Sequence, residues 1–480
     1  MCEDHRRSCP GEDRISSLPD ELLHGILVRL RSTRAAGRTS VLSRRWRHVW
    51  AHLPELLLVE GDGLDAPSFL DKVDGALAGY SAPTLERLSI SLPNRHDLGV
   101  SVRRVQPWLC FASERAVGAL CLLVPPPISS PIEHVIMWTH RRPEHVVGKR
   151  DKAEVLYLPA WKGATKIDLH LQREWRLRPV SAGLFASLTS LTIKGGCVKA
   201  RELTALVCTQ CPRLKQLALD LLLLITSDIS LRSDSLQSLQ LHIKNTRRLE
   251  IVAPRLEELS VDETTKAHIS APNLAKLTWL SDVCDPRQHQ FTDVSHRLRL
   301  LKISSYSAVA HLTSQFDEVD DLELEVHIPH GTAAYESFLN ETTELPKCKT
   351  FSIIFCKDYH DFMPSMLQLL RRCNSTRKLS VLFRRYDGPW VYSCTPSCPC
   401  RLEESRNIGV ILSSLEEVEI TGLTDQKEEL EFLEFLSHNA AILKKLAINW
   451  VRLFSPPPTK ELREKIRSMY RPNVSVKFHV

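Results

Sequence analysis

The sequence predicts an α/β architecture: a short helical module at the N-terminus, then an irregular solenoid of parallel strands closed by a repeat-like cap. Three observations predict it. A stripe of leucines and tryptophans at helical spacing is confined to residues 13–53. From Pro83 onward a phrase of the form apolar-x-x-apolar-x-apolar returns at intervals of roughly 20 to 30 residues. The chain of 480 residues is too long for one compact core, so several domains or one repeat array must divide it.

In the N-terminal module Ser17 is placed to cap a first helix whose opening turn holds Pro19, Asp20 and Glu21. Proline there loses no needed donor, and the acids complement the positive end of the helix dipole. Leu22, Leu23, Ile26, Leu27 and Leu30 recur at helical spacing and form a wide apolar stripe. Ser32 and Thr33 offer a second cap, before a helix that carries Ala35, Ala36, Val41 and Leu42 and is weakened by Gly37. Ser43 offers a third, and Trp46, Val49 and Trp50 then share one face of an arginine-rich helix. This apolar load exceeds what three short helices can hide among themselves, so a partner is expected to complete it.

The run Asp13-Arg14-Ile15-Ser16-Ser17-Leu18-Pro19-Asp20-Glu21-Leu22-Leu23, followed by Thr39-Ser40-Val41-Leu42-Ser43-Arg44-Arg45-Trp46-Arg47, resembles the F-box in its plant form. The resemblance implies a three-helix module that binds a Skp-family adaptor, which hangs on a cullin scaffold with a RING subunit. By position, Leu18 and Pro19 match the family's Leu-Pro dipeptide, and Leu22, Ile26, Leu27, Leu42, Trp46 and Trp50 match its apolar contact and core positions. Gly25 and Gly37 replace better helix formers at about 1 kcal/mol each, so marginal stability without the adaptor is expected.

The repeated phrase reads Leu85-Leu88-Ile90, Val117-Leu120-Leu122, Leu188-Leu191-Ile193, Leu214-Leu217-Leu219, Leu236-Leu239-Leu241, Leu256-Leu259-Val261, Leu298-Leu301-Ile303 and Val319-Leu322-Leu324. Weaker copies are Ala164-Ile167-Leu169, Leu274-Leu277-Trp279, Leu415-Val418-Ile420 and Leu443-Leu446-Ile448. The last two apolar positions lie two apart and point to one face of a short strand, while the first fills the preceding turn. One repeat alone leaves that face wet; stacking the repeats buries it and aligns the strands in parallel, as in leucine-rich repeats. The residue between the inward pair then faces out along the inner curve, which nominates Thr192, Gln240, Ser260, Thr278, Lys302 and Glu323 for binding a target protein. Pro254 and Pro272 sit just ahead of strands and imply very short links.

Between Arg384 and Glu403 the pattern breaks into a loop with Cys394, Cys398 and Cys400. Three thiols in C-x3-C-x-C lack a fourth ligand at a paired spacing, with Cys356 and Cys373 distant, so no metal site is expected and no cofactor is called for. Beyond the loop, Leu415–Ile420 reads as a strand, Gln426–Asn439 as a helix with Leu430, Leu433 and Leu436 on one side, and Leu443–Ile448 as a strand. The run Leu415-Glu416-Glu417-Val418-Glu419-Ile420, the acidic helix and Ala440 to Ile448 resemble the FBD domain that ends many plant F-box and leucine-rich-repeat proteins. The expected domains are therefore 13–53, 54–383 and 384–480.

The remaining evidence excludes other classes. Basic and acidic residues number 63 and 57, a near balance that argues against nucleic acid or a membrane as partner. The 14 cysteines form no regular framework and Met1–Arg14 is polar, so free thiols in the nucleus or cytoplasm are expected. The longest apolar run, Leu217 to Ile225, is interrupted by Asp220 and far short of the roughly 20 residues of a membrane span. No phosphate loop, dinucleotide fingerprint, nucleophile elbow or H-E-x-x-H helix occurs, so a non-catalytic subunit is expected. The resemblances imply the substrate-recognition subunit of a Skp-cullin-F-box ubiquitin ligase; the alternative is a leucine-rich-repeat scaffold without ubiquitin transfer. Cys2 as an oxidisable N-terminal residue and the basic stretch His140–Lys152 are the other features noted.

Overall fold

The computed structural model describes residues 18–30, 32–42, 45–59, 66–92, 100–125, 154–180, 183–262, 265–281, 284–285, 287–356, 359–372, 375–384, 394–402, 409–423, 427–450 and 459–479. Cys2, the Ser17 and Ser43 caps, His140–Lys152 and Cys373 lie outside them. The chain divides into two compact units, residues 1–225 and 226–480.

The first unit begins with three short helices, α1 (Asp20–Arg29), α2 (Thr33–Arg38) and α3 (Trp46–Val49). Pro19 stands at the cap of α1, where its carbonyl accepts from Leu22 and Leu23 N–H at 3.1 Å. The Ser32 hydroxyl caps α2 by accepting from Ala35 N–H at 3.3 Å. Thr33 serves another purpose: its hydroxyl accepts from the Leu57 N–H at 2.7 Å and pins α2 to the first strand. Leu23, Leu27, Ala36, Trp46, Val49 and Leu53 form the core of the bundle.

Strands β1 (Glu55–Val59), β2 (Leu85–Ser91), β3 (Ala116–Leu123), β5 (Lys166–His170), β7 (Ser190–Val198) and the start of β8 (Gln216–Arg232) then pair in that order, all parallel. Leu56, Leu88, Leu120, Ile167, Leu191 and Leu217 stand in register across them and are buried. A second row pairs β4 (Val155–Leu158) with β6 (Arg176–Pro179), and β6 with the far end of β7 at Cys197. Strand β7 serves both rows by turning a corner at Gly195 and Gly196, which have φ of +78° and +84°. A Cβ on Gly195 would lie 2.0 Å from the Leu171 carbonyl oxygen, so no other residue fits this corner unstrained.

The second unit repeats the plan. Its main sheet runs β9 (Ser238–Val252), β10 (Glu258–Asp262), β12 (Lys276–Trp279), β14 (Arg297–Ile303), β15 (Glu318–Val326), β16 (Lys347–Cys356), β17 (Lys378–Arg384), β18 (Glu417–Thr421), β19 (Lys445–Asn449) and β20 (Ser475–His479), every pair parallel. The far end of β9, beyond Asn245 at φ 65°, begins a second row with β11 (Ala267–Ser270) and β13 (His289–Thr292). Single turns at Ala253–Leu256 and Ala271–Leu274 link the two rows, each closed by a 3.1 Å backbone hydrogen bond. Asn273 donates to the Pro254 carbonyl at 2.8 Å and stacks one turn on the next.

The apolar phrase is the core. Every residue quoted for it is buried except Val117, which is exposed; Ala116 fills that inward place. The same phrase also recurs at Leu53-Leu56-Leu58, Cys348-Phe351-Ile353 and Thr376-Leu379-Val381, all buried. In the helix Lys427–Asn439 the buried residues are Glu429, Phe432, Leu433 and Leu436, with Leu430 only half-buried. Phe432 is drawn inward by Phe362, whose ring it meets edge-on at 5.2 Å between centroids. A further helix, Lys460–Met469, capped by the Thr459 hydroxyl, precedes the last strand.

Candidate functional site

The apolar stripe of α1 splits into two faces. Leu23 and Leu27, four apart, point into the bundle; Leu22, Ile26 and Leu30, also four apart, point out. Leu22 is 56% exposed, Ile26 43% and Leu30 45%, and Val41 and Leu42 after α2 reach 86% and 65%. Pro19 is exposed, and Leu18 is half-buried against the bundle core. Of the residues the sequence nominated for docking, then, Leu22, Ile26, Leu42 and Pro19 are accessible, whereas Leu27 and Trp46 are core. Trp50 is half-buried and occupied internally: it lines a cavity of about 290 Å³ with Gly37, Leu57, Phe69 and Val73. Leu30 and Val41 belong to the exposed set as well; the helical period marked both as apolar but could not tell which face is free.

Arg45 fixes the start of α1, donating to the Leu18 carbonyl at 2.6 Å and to the Asp20 carboxylate at 2.5 Å. The ion pair is exposed and adds little stability. It orients the chain where Pro19 is presented.

On the main sheet of the second unit, Gln240, Ser260, Thr278, Lys302 and Glu323 stand side by side in one register row. The row continues through Ser352, Ser380, Glu419, Ala447 and Lys477, which the sequence reading did not nominate. Thr192 occupies the corresponding row of the first unit, between Asp168 and Ala218. All six nominated side chains are at least partly exposed. Charge on this face is paired across strands: Lys302 with Glu323, Lys378 with Glu419 at 3.6 Å, Lys276 with Glu258 at 2.6 Å and His242 with Asp262 at 2.5 Å.

A different cluster lies where the strand pattern is interrupted. Cys394, Cys398 and Cys400, all buried, converge with His360, and one donor atom from each falls within 4.8 Å of the others. Two elements deliver them: the segment between β16 and the helix Phe362–Leu370 supplies His360, and the insertion between β17 and β18 supplies the cysteines. Burial pushes the Cys398 and Cys400 thiols up and the His360 imidazole down, so the surroundings favour neutral forms. The fourth donor that the cysteine spacing lacked is a histidine on the neighbouring repeat.

No helix among the described residues is long and apolar enough to cross a membrane. Residues 403–448 match the family model described as FBD, and residues 140–329 match the one described as "FBD-associated F-box protein At5g56370, LRR repeats". Among curated proteins, the chain is 36% identical over 110 residues to the F-box protein At5g03100 of Arabidopsis thaliana, spanning 23% of this chain and 33% of that relative. It is 40% identical over 119 residues to the F-box/FBD/LRR-repeat protein At2g04230 of Arabidopsis thaliana, spanning 23% of this chain and 25% of that relative. Over nearly the full length, 97% of this chain and 95% of the relative, it is 26% identical to the Arabidopsis thaliana protein At3g49480, whose name carries the same three elements.

Parallel strands, stacked apolar phrases and the repeat-family match define a mixed α/β leucine-rich-repeat protein. Taken with the FBD match and these relatives, the chain is similar to the plant F-box, leucine-rich-repeat and FBD proteins.

Proposed function

We infer that this chain is the substrate-recognition subunit of a Skp-cullin-F-box ubiquitin ligase, with the N-terminal helices as the F-box that docks to a Skp-family adaptor. The observation that carries the reading is the outward set Leu22, Ile26, Leu30, Val41 and Leu42 on a bundle whose own core is a handful of residues. Apolar side chains concentrated on so small a module are an unfinished interface. Cullin and a RING subunit join through the adaptor, and an unidentified protein substrate is held by the polar rows that include Thr192, Gln240, Ser260, Thr278, Lys302 and Glu323. The FBD region closes the repeats as a terminal cap. The chain performs no bond chemistry; it raises the effective concentration of a substrate lysine near a charged conjugating enzyme. Its place is the nucleus, the cytoplasm or both.

Co-expression of the full chain with a Skp-family adaptor tests this. The wild type is expected to retain adaptor and cullin through affinity purification and gel filtration. Leu22→Asp with Ile26→Asp is expected to lose both while the repeat body stays folded. An adaptor retained equally by the wild type and the double variant sinks the assignment of this face. A wild type that holds adaptor but never cullin, and whose bound partners do not accumulate in the double variant, marks a scaffold instead.

A further inference from the structure

We propose that Cys394, Cys398, Cys400 and His360 form a structural zinc site. Thiolate and imidazole are the donors that select zinc, and a set without a carboxylate or carbonyl oxygen excludes calcium and magnesium. Zinc–sulfur and zinc–nitrogen bonds of about 2.3 and 2.0 Å place tetrahedral ligand atoms roughly 3.5–3.8 Å apart. Cys398 Sγ and His360 Nδ1 are 3.5 Å apart, and all four donor atoms lie within 4.8 Å, close enough to contract onto one ion.

The surroundings are organised as such a site requires. His360 Nε2 lies 2.9 Å from the Pro329 carbonyl, which can only accept, so Nε2 carries the proton and the Nδ1 lone pair faces the sulfurs. Tyr335 packs against the imidazole at 5.0 Å between ring centroids and holds its plane. The Cys400 backbone N–H is directed at the Cys398 sulfur, and the Asp361 N–H at the Cys400 sulfur. Burial alone keeps these thiols neutral, and the two backbone donors would stabilise the thiolates that form when zinc displaces their protons.

Two simpler readings fit less well. All three cysteines are free thiols, so the cluster is not a disulfide with a bystander. Buried cysteines can pack as small apolar groups, but such packing gives no reason for a histidine to turn its bare nitrogen into the cluster. Cys394 is 3% exposed, and Cys398 and Cys400 are fully buried. Four protein donors and no open position describe a structural site rather than a catalytic one.

The site would join three successive connections of the repeat stack: the segment after β15 that holds Pro329, the segment after β16 that holds His360, and the insertion after β17. A 3.4 Å hydroxyl pair between Thr332 and Thr395 ties the insertion to the segment after β15, and within the insertion Cys398 N–H closes a 3.0 Å turn onto the Thr395 carbonyl. Metal binding is folding free energy for such a segment.

The test is metal content of the full chain, carrying an affinity tag without histidine, purified under reducing conditions and measured by inductively coupled plasma mass spectrometry. One zinc per chain is expected, and replacement by cobalt should give the ligand-field spectrum of a tetrahedral three-sulfur, one-nitrogen site. His360→Cys should keep one metal per chain and move the cobalt spectrum toward four sulfurs. Cys398→Ser with Cys400→Ser should bring the metal content to background. A strong zinc chelator should lower the melting temperature of the wild type by about 5 °C or more. The proposal is overturned if the reduced wild type takes up no zinc, if its cobalt spectrum is octahedral, or if the double cysteine variant keeps the metal. The wild-type measurements decide even if the cysteine variants fail to fold.

Discussion

The helical module and the repeat sheets dispose of apolar residues in opposite ways. In α1, neighbouring leucines are divided between inside and outside, so that Leu23 is fully buried while Leu22 is 56% exposed. Along the sheets the division is between apolar positions, nearly all buried, and polar positions that pair with one another across strands. The first surface is incomplete by composition and asks for a partner that supplies apolar area. The second is complete as it stands and offers a pattern of hydrogen-bonding groups. Under the proposed function, the first would serve a constant partner and the second discrimination among targets.

Substitutions can break this comparison at the point where it is sharpest. Leu22→Asp with Ile26→Asp should weaken adaptor binding by at least ~100-fold, about 2.7 kcal/mol, with the isolated chain's melting temperature nearly unchanged; calorimetric titration with the purified adaptor measures it. Leu23→Ala, one residue along, should cost about 2–4 kcal/mol of stability at the N-terminal helices, read by hydrogen exchange of α1 to α3. If Leu22 and Leu23 behave alike, the two-faced reading of α1 is wrong. Gly195→Ala should cost on the order of 2 kcal/mol in the first unit, because the added methyl meets the Leu171 carbonyl at positive φ; urea denaturation followed by the fluorescence of a single-tryptophan variant retaining Trp175 reports it.

On the polar row, Glu323→Gln should shift stability by less than ~1 kcal/mol, since the Lys302 pair is partly solvated. The same change should alter target binding if that row is read. The smallest effect concerns acid. Lys349 and Arg297 hold the Asp320 carboxyl below the ordinary carboxylate range, and Lys444 does the same for Glu416. Groups depressed in the folded state contribute stability that is present above pH ~4 and lost as pH falls through their folded values. Denaturation midpoints at pH 7 and pH 3 should therefore differ less in Asp320→Asn than in the wild type.

Much of the second unit was legible because a strand's two-residue period and a repeat's spacing are properties of the chain alone. Leu256-Leu259-Val261 and its copies could be read without knowing what they touch. The copies at Cys348 and Thr376 escaped because a cysteine or threonine holds the first apolar place, where burial depends on the neighbouring repeat. Hydropathy and the phrase's spacing point to Val117, yet the strand's phase puts the smaller Ala116 inside. Helical spacing likewise points to Leu430, whereas Phe432 is the buried residue, packed against the ring of Phe362. His360 was beyond reach for a stronger reason. Ligand spacing rules presume that donors are near in sequence, whereas here the pairing of β16 with β17 brings the connections after them together. The corner at Gly195 and Gly196 is visible as two glycines, but that it hands one strand from the first row to the second is a fact of register.

Cross-strand pairing of lysines with acids has one more consequence. Apart from Lys477 at the end of the row, its charges are answered a few ångströms away, so most of the sheet casts little field past the screening length of about 8 Å at physiological salt. A passing macromolecule is therefore not drawn in from afar: encounter there is ordinary diffusion, indifferent to ionic strength. A macromolecule laid on this face would have to offer substitutes for the internal ion pairs or be left facing them dry.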